Sequence, residues 1–357
     1  MKKLILHNFL ILLITFNSCT SRNYQYTTEI FEDGSCIRTM SAIVDSGETG
    51  SLVFDVIVDT SWEKKLRVID TLQNISELSV SRKFAKVNDI NHLKPNDRCN
   101  LSKVEHGLHF EKNIKWFYTY FTYTENYKKI IPYNQVPVTE YFSDEELKYI
   151  EEDTSGFLKG KDSIEISRIK DTLSLKLVKW LNESIYEDFI QTLSKNAHLL
   201  ENPAITPQTI KEKKQELWLK IPHKKDDIDF VMYEVDSMLN YCSSIFNSES
   251  FKRLSPSKSH AFDQYLKNGE KIVSFFIVED IDNTVIMPGK ITKSNINQAD
   301  GNKISWNFTV MKCFFKDYKV SVTSKLTNYG AFAVTSILFT ILVFVLIWKP
   351  YRKREIS

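Results

Sequence analysis

His106 and His109, flanked by Glu105 and Glu111, come closest in this chain to a metal or acid–base constellation, because imidazole and carboxylate are the usual ligands and proton carriers. Their spacing works against convergence. Residues three apart in a strand project to opposite faces, and Gly107 followed by an aromatic run disfavours the helix that would bring the rings together. Surface histidines are therefore expected. Asp226, Asp227 and Asp229 lack the glycine and terminal glutamate of a calcium loop and read as acid near a helix start, while Glu279, Asp280 and Asp282 read as a solvated strand end. The mature chain holds no GxSxG, HExxH, GxGxxG or P-loop run, so no catalytic, metal or cofactor-binding residue is assigned and no cofactor is expected. The aromatic stretch around Trp116 has the chemistry to stack sugars or lipid tails; the plainer reading is a buried strand.

One residue is a candidate for covalent modification. Met1-Lys2-Lys3, the apolar run Leu4 to Phe16 and then Asn17-Ser18-Cys19 have the layout of a signal peptide over 1–18, with the Cys19 thiol placed for lipidation as the first mature residue. Ordinary cleavage nearby is the alternative; an uncleaved first span is disfavoured because the apolar run is too short to cross a bilayer. Cys36, Cys99, Cys242 and Cys313 permit two disulfides in an oxidising compartment, or serve as small buried apolar side chains. Without a CxxC pair, zinc is not expected.

The element that places all of these residues is at the other end. Ala331 to Trp348 carries no charge, Pro or Gly, and as a helix it reaches roughly 27 Å, close to the thickness of a bilayer's hydrocarbon core. Lys349, Arg352, Lys353 and Arg354 follow it, and basic flanks stay on the cytoplasmic side. The expected address is a bacterial inner (cytoplasmic) membrane, crossed once, with everything before Ala331 extracytoplasmic and the C-terminus cytoplasmic. Acylation at Cys19 would then hold both ends to one membrane. With 47 basic and 45 acidic residues, the outer part has no charge excess to drive nucleic-acid binding.

Between the two ends the pattern changes twice. Tyr24, Tyr26, Thr28 and Ile30 alternate, Asp33-Gly34 marks a hairpin turn, and a second run covers Ser35 to Val44. Extended runs follow at Ser51 to Val58 and Glu77 to Val87, and His109 to Tyr127 reads as one central strand, apolar on both faces. Ser143 with Glu146 forms a capping-box pattern, and helices are expected over Ile169 to Leu199, Thr206 to Trp218, Ile228 to Cys242 and Ala261 to Leu266. Glu270 to Asp280 reads as a strand, Pro288-Gly289 as a turn, and the alternations Ile304 to Val310 and Tyr318 to Val322 as a hairpin. The expected class is α+β: an antiparallel sheet split by a helical insertion, plus one C-terminal transmembrane helix. Its parts are a β-rich extracytoplasmic region 19–140, a helical insertion 141–269, a β-rich region 270–325 completing the sheet, a transmembrane helix 331–348 and a basic tail 349–357.

Met287-Pro288-Gly289-Lys290, Asn295, Gly301-Asn302, Trp306-Asn307 and Asp317-Tyr318, leading into the terminal helix, resemble the closing part of bacterial envelope lipoproteins of the LppM type. The Asp33-Gly34 hairpin is similar too, and the lysine-, isoleucine-, asparagine- and aromatic-rich composition resembles membrane-anchored envelope proteins of Bacteroidota. The resemblance covers the two ends only. It implies a membrane-tethered α+β domain and carries no catalytic residue across. The function expected is a non-catalytic module binding a lipid, glycan or protein near the bilayer. Its partners are membrane lipids and an envelope protein or glycan, with no nucleic acid. An envelope hydrolase assembled from residues distant in sequence is the alternative.

Overall fold

The computed structural model describes residues 24–45, 53–70, 75–152, 157–221, 234–275, 280–296 and 299–354. The signal segment, Cys19, the acidic run Asp226, Asp227 and Asp229, and Glu279 lie outside the described residues. Two compact units divide the chain: a β unit (residues to Tyr127, Glu279–Thr309 and from Lys319 on) and a helical unit (Lys128–Val278 and Val310–Tyr318).

The β unit starts with β1 (Tyr24–Ile30), β2 (Cys36–Asp45), β3 (Glu63–Asp70), β4 (Ile75–Phe84), β5 (His106–Ile114) and β6 (Tyr118–Tyr127). The β1–β2 turn uses Gly34 at φ 87°, a conformation open to glycine. Asp33 Oδ1 accepts from the Ser35 backbone N–H at 2.9 Å and its hydroxyl at 2.6 Å. Beyond the helices come β7 (Ile281–Ile286), β8 (Lys290–Ser294), β9 (Ala299–Asp300), β10 (Lys303–Phe308) and β11 (Tyr318–Thr327).

These strands form two sheets, ordered β3-β4-β2-β1-β7-β10-β9 and β5-β6-β11-β8, in place of the single antiparallel sheet expected. The β1–β7 pairing is parallel. β7 returns only after the whole helical segment, and a parallel partner needs such a long crossover. The two sheets face each other, with Tyr127 stacked on Phe308 at 3.9 Å between ring centroids.

Four further expectations are corrected. His109 to Tyr127 is a hairpin, β5 and β6, with its turn at Lys115 to Phe117, where the Lys115 N–H donates to the Tyr118 carbonyl at 2.8 Å. No Gly or Pro marks that turn, none of whose residues takes a positive φ, and Asn328 satisfies the Lys115 and Trp116 carbonyls from elsewhere. Residues 53–58 form a loop with a lone bridge, Val56 to Pro95, rather than a strand. Glu270 to Phe275 is helical, since short apolar runs do not distinguish strand from helix. The alternations ending in β10 and β11 do not pair with each other: β10 joins the first sheet, β11 the second, and 310–318 between them belongs to the helical unit.

The helical unit contains α1 (Asp144–Glu152), α2 (Ser163–Lys195), α3 (Pro207–Glu212), α4 (Lys214–Lys220), α5 (Val235–Phe246) and α6 (Asp263–Phe275). The capping box forms: Glu146 accepts from the Ser143 N–H at 2.9 Å and Ser143 Oγ from the Glu146 N–H at 3.3 Å. Asp162 caps α2 by accepting from the N–H groups of Ile164 and Glu165. The apolar stripe of α2, with Trp180, Leu181, Ile185, Phe189 and Leu193, is buried among Phe251, Phe262 and Tyr265. The expected Thr206 to Trp218 helix is two short ones meeting at Lys213. The chain closes with α7 (Tyr329–Arg354), in which 329–346 has no buried side chain and is long and apolar enough to cross a membrane.

Candidate functional site

Alternation puts Tyr24, Tyr26, Thr28 and Ile30 on the inner face of β1, and the antiparallel register sets Arg38 of β2 opposite Thr28. An arginine on an inward face needs partners. Arg38, only 4% exposed, donates from Nη1 to Thr28 Oγ1 at 2.6 Å, and its guanidinium carbon lies 4.8 Å from the centre of the Tyr26 ring. Across the interior, β6 presents Glu125, 1% exposed, which accepts from the Tyr123 hydroxyl at 2.9 Å and the Tyr127 hydroxyl at 2.7 Å. The third charged member comes from the irregular loop. Asp55 Oδ1 accepts from the Tyr26 hydroxyl at 2.8 Å, and its loop is tied to 94–102 by Ile57 N–H to Lys94 carbonyl, Asn96 N–H to Asp55 carbonyl and the Asn96 side chain to the Phe54 carbonyl.

One guanidinium therefore shares a buried space with two carboxyl groups and three phenols. Tyr26, Arg38, Asp55, His106, Glu125 and Tyr127 line an inner void of about 10 Å³, close to the space one water needs. Beside it a cavity of about 160 Å³ shares Arg38, Asp55, Val104 and His106 and adds Asn91, Ser102 and Glu105 to its wall. Burial alone lowers the Arg38 pKa, but the charges of Glu125, Tyr123 and Asp55 outweigh it and leave the pKa above its ordinary value. Tyr26, Tyr123 and Tyr127 are pushed well above 10, first by burial and then by the carboxyl group each one contacts. These four groups keep their protons through the physiological range. The phenol protons are held on Asp55 and Glu125, and one proton of Arg38 on Thr28, which fixes the polarity of the space.

His106 and His109 do not converge, as their spacing in a strand requires. His109 points outward and meets Glu111 at 2.9 Å, while His106 stacks on Tyr127 with centroids 5.6 Å apart and lines the cavity. Among the described residues no three His, Cys, Asp or Glu side chains group as a metal site. Cys36, Cys99, Cys242 and Cys313 are buried and joined in no disulfide among the described residues, so of the two readings left open the reduced one describes them. Burial pushes the Cys36 thiol up to about 11 and those of Cys242 and Cys313 to about 12, which makes them poor nucleophiles. Trp116 is exposed at the hairpin tip and is not core. Arg38, Asp55 and Glu125 were not singled out from sequence. The available signal was Tyr123-x-Glu125-x-Tyr127, a charge where strand alternation points inward.

No family model matches the chain, and no match was found among curated proteins or solved structures.

Proposed function

We propose that this protein is a membrane-anchored, extracytoplasmic module of a bacterial envelope that binds its ligand without transforming it, and that the ligand is polar, a glycan unit in the cavity beside Arg38. The observation that carries anchoring is α7, whose apolar stretch has no residue buried among the described residues. Support for a glycan over a lipid tail comes from the polar half of the cavity wall, Arg38, Asp55, Asn91, Ser102, Glu105 and His106, which shares the cavity with an equal number of apolar residues. The second reading, an envelope hydrolase, draws on the same cavity, because Asp55 shares one wall with Ser102, Glu105 and His106 from a single later stretch of the chain.

The test uses the full chain in detergent micelles, titrated with a peptidoglycan disaccharide-peptide and analysed by mass spectrometry. Saturable binding that Asp55→Asn weakens, with the probe recovered intact, is the expected result. A cleaved probe selects the hydrolase, and no binding to the wild type overturns the glycan assignment. Protease added to spheroplasts should digest the β unit and spare the α7 segment; full protection overturns the orientation.

A further inference from the structure

β11 passes into α7 through one residue, Asn328, and that residue is bonded on every side. Its side-chain amide donates to the carbonyls of Lys115 at 2.9 Å and Trp116 at 3.3 Å, its Oδ1 accepts from Thr119 Oγ1 at 2.9 Å, and its N–H donates to the Phe117 carbonyl at 2.9 Å. The tip of the β5–β6 hairpin is thus fastened to the start of the helix. Two further contacts extend the junction: Trp116 Nε1 donates to Thr335 Oγ1 at 2.8 Å, and Phe117 lies against Phe332 at 4.6 Å between centroids. Thr335 is six residues past Tyr329, about 9 Å along the helix axis. Trp116, 61% exposed, and Ile114, 69% exposed, therefore stand level with the first turns of α7.

The same end of the second sheet carries cations on aromatic supports. Lys325 Nζ lies 4.3 Å from the centre of the Tyr118 ring, and Lys115 Nζ 5.3 Å from that of Tyr120. Lys290 is directly opposite Lys325 in the β8–β11 register. Like charges facing each other across a strand pair are unfavourable unless an anion lies between them. Among the described residues these three lysines have no carboxylate partner.

We infer that the hairpin tip and the first turns of α7 form a seat on the bilayer: Ile114 and Trp116 enter the headgroup layer, and Lys115, Lys290 and Lys325 hold the phosphate of an anionic phospholipid. Amphipathic rings favour that depth, and lysines near an anionic surface each add roughly fivefold to binding, on the order of a hundredfold for three. This rests on reading α7 as a membrane span.

The experiment reconstitutes the full chain into nanodiscs of phosphatidylcholine with phosphatidylglycerol and reads retained lipids by native mass spectrometry. Wild type should keep phosphatidylglycerol in preference, and the K115Q/K290Q/K325Q variant should retain the two lipids in their bulk ratio. Lipids brominated near the headgroup should quench wild-type tryptophan fluorescence more than that of the Trp116→Phe variant. Equal lipid ratios for wild type and the triple variant overturn the lysine site, and equal quenching overturns the insertion of Trp116. A chain that fails to enter nanodiscs sinks the span itself, an outcome distinct from either.

Discussion

The interiors of the two units are built on opposite terms. In the helical unit the interior is chiefly Trp180, Phe189, Phe251, Phe262, Tyr265 and their aliphatic neighbours, and its ion pairs are partly exposed, as Lys176 with Glu146 at 2.7 Å, or reach solvent through one member, as buried Glu151 does through Lys316. The β unit instead buries a guanidinium and two carboxyl groups within one tyrosine-lined space. An apolar interior asks only for volume and shape. A charged one asks for each specific partner, and replacing buried ions by apolar side chains is often neutral or stabilising. An interior that keeps its ions therefore points to use rather than to stability. The site is sought in the β unit for that reason.

The largest test of this contrast removes the cation. Arg38→Met leaves Glu125 and Asp55 buried without their counter-charge and should lower unfolding stability by about 3–5 kcal/mol, measured by denaturant titration of the solubilised chain. Adding Glu125→Leu and Asp55→Leu should restore most of that loss while abolishing ligand binding. If Arg38→Met is as mild as a surface change, the contrast between the units disappears.

Alkaline pH probes both interiors at once. The thiols of Cys36, Cys242 and Cys313 have folded pKa values raised to about 11, 12 and 12, first by burial. In an unfolded chain they ionise from about pH 8.5. Stability should be whole below that value and drain away as pH rises toward the folded values. Two of the three thiols lie in the helical unit, so Cys242→Ala with Cys313→Ala should flatten the alkaline decline more than Cys36→Ala does, seen in unfolding midpoints from about pH 8 to pH 11.

The smallest effect sharpens the picture inside the β unit. Asn283, flanked in register by Tyr26 and Trp306, is buried, and neither atom of its amide has a partner among the described residues. Asn283→Leu removes both groups and should raise stability by about 1–3 kcal/mol. A fall in the unfolding midpoint would mean that the amide is engaged after all and belongs with the polar network.

How much of this was legible depended on whether a signal was local. Alternation in β1 and β4, Asp33-Gly34 and the Ser143–Glu146 cap each act within a few residues, and each is read correctly from residue order, as is the helix of the uncharged run in α7. The β5–β6 turn was missed because Asn328, far along the chain, supplies its hydrogen bonds. β3 (EKKLRVID) is an edge strand with almost no buried side chain, so it has no hydrophobic pattern to find. The site was the least legible part. Arg38, Asp55 and Glu125 sit on two strands and a loop, and only the facing of two sheets brings them together.

A junction of one residue leaves no hinge. Where a flexible linker would let a tethered head wander over the surface, the fastening at Asn328 makes the β unit and α7 lean as one. If α7 spans a bilayer as proposed, a thinner one would make the rod tip to hide its length. The strands above would tip with it, so bilayer thickness would set the angle at which this head meets whatever stands beyond the lipid.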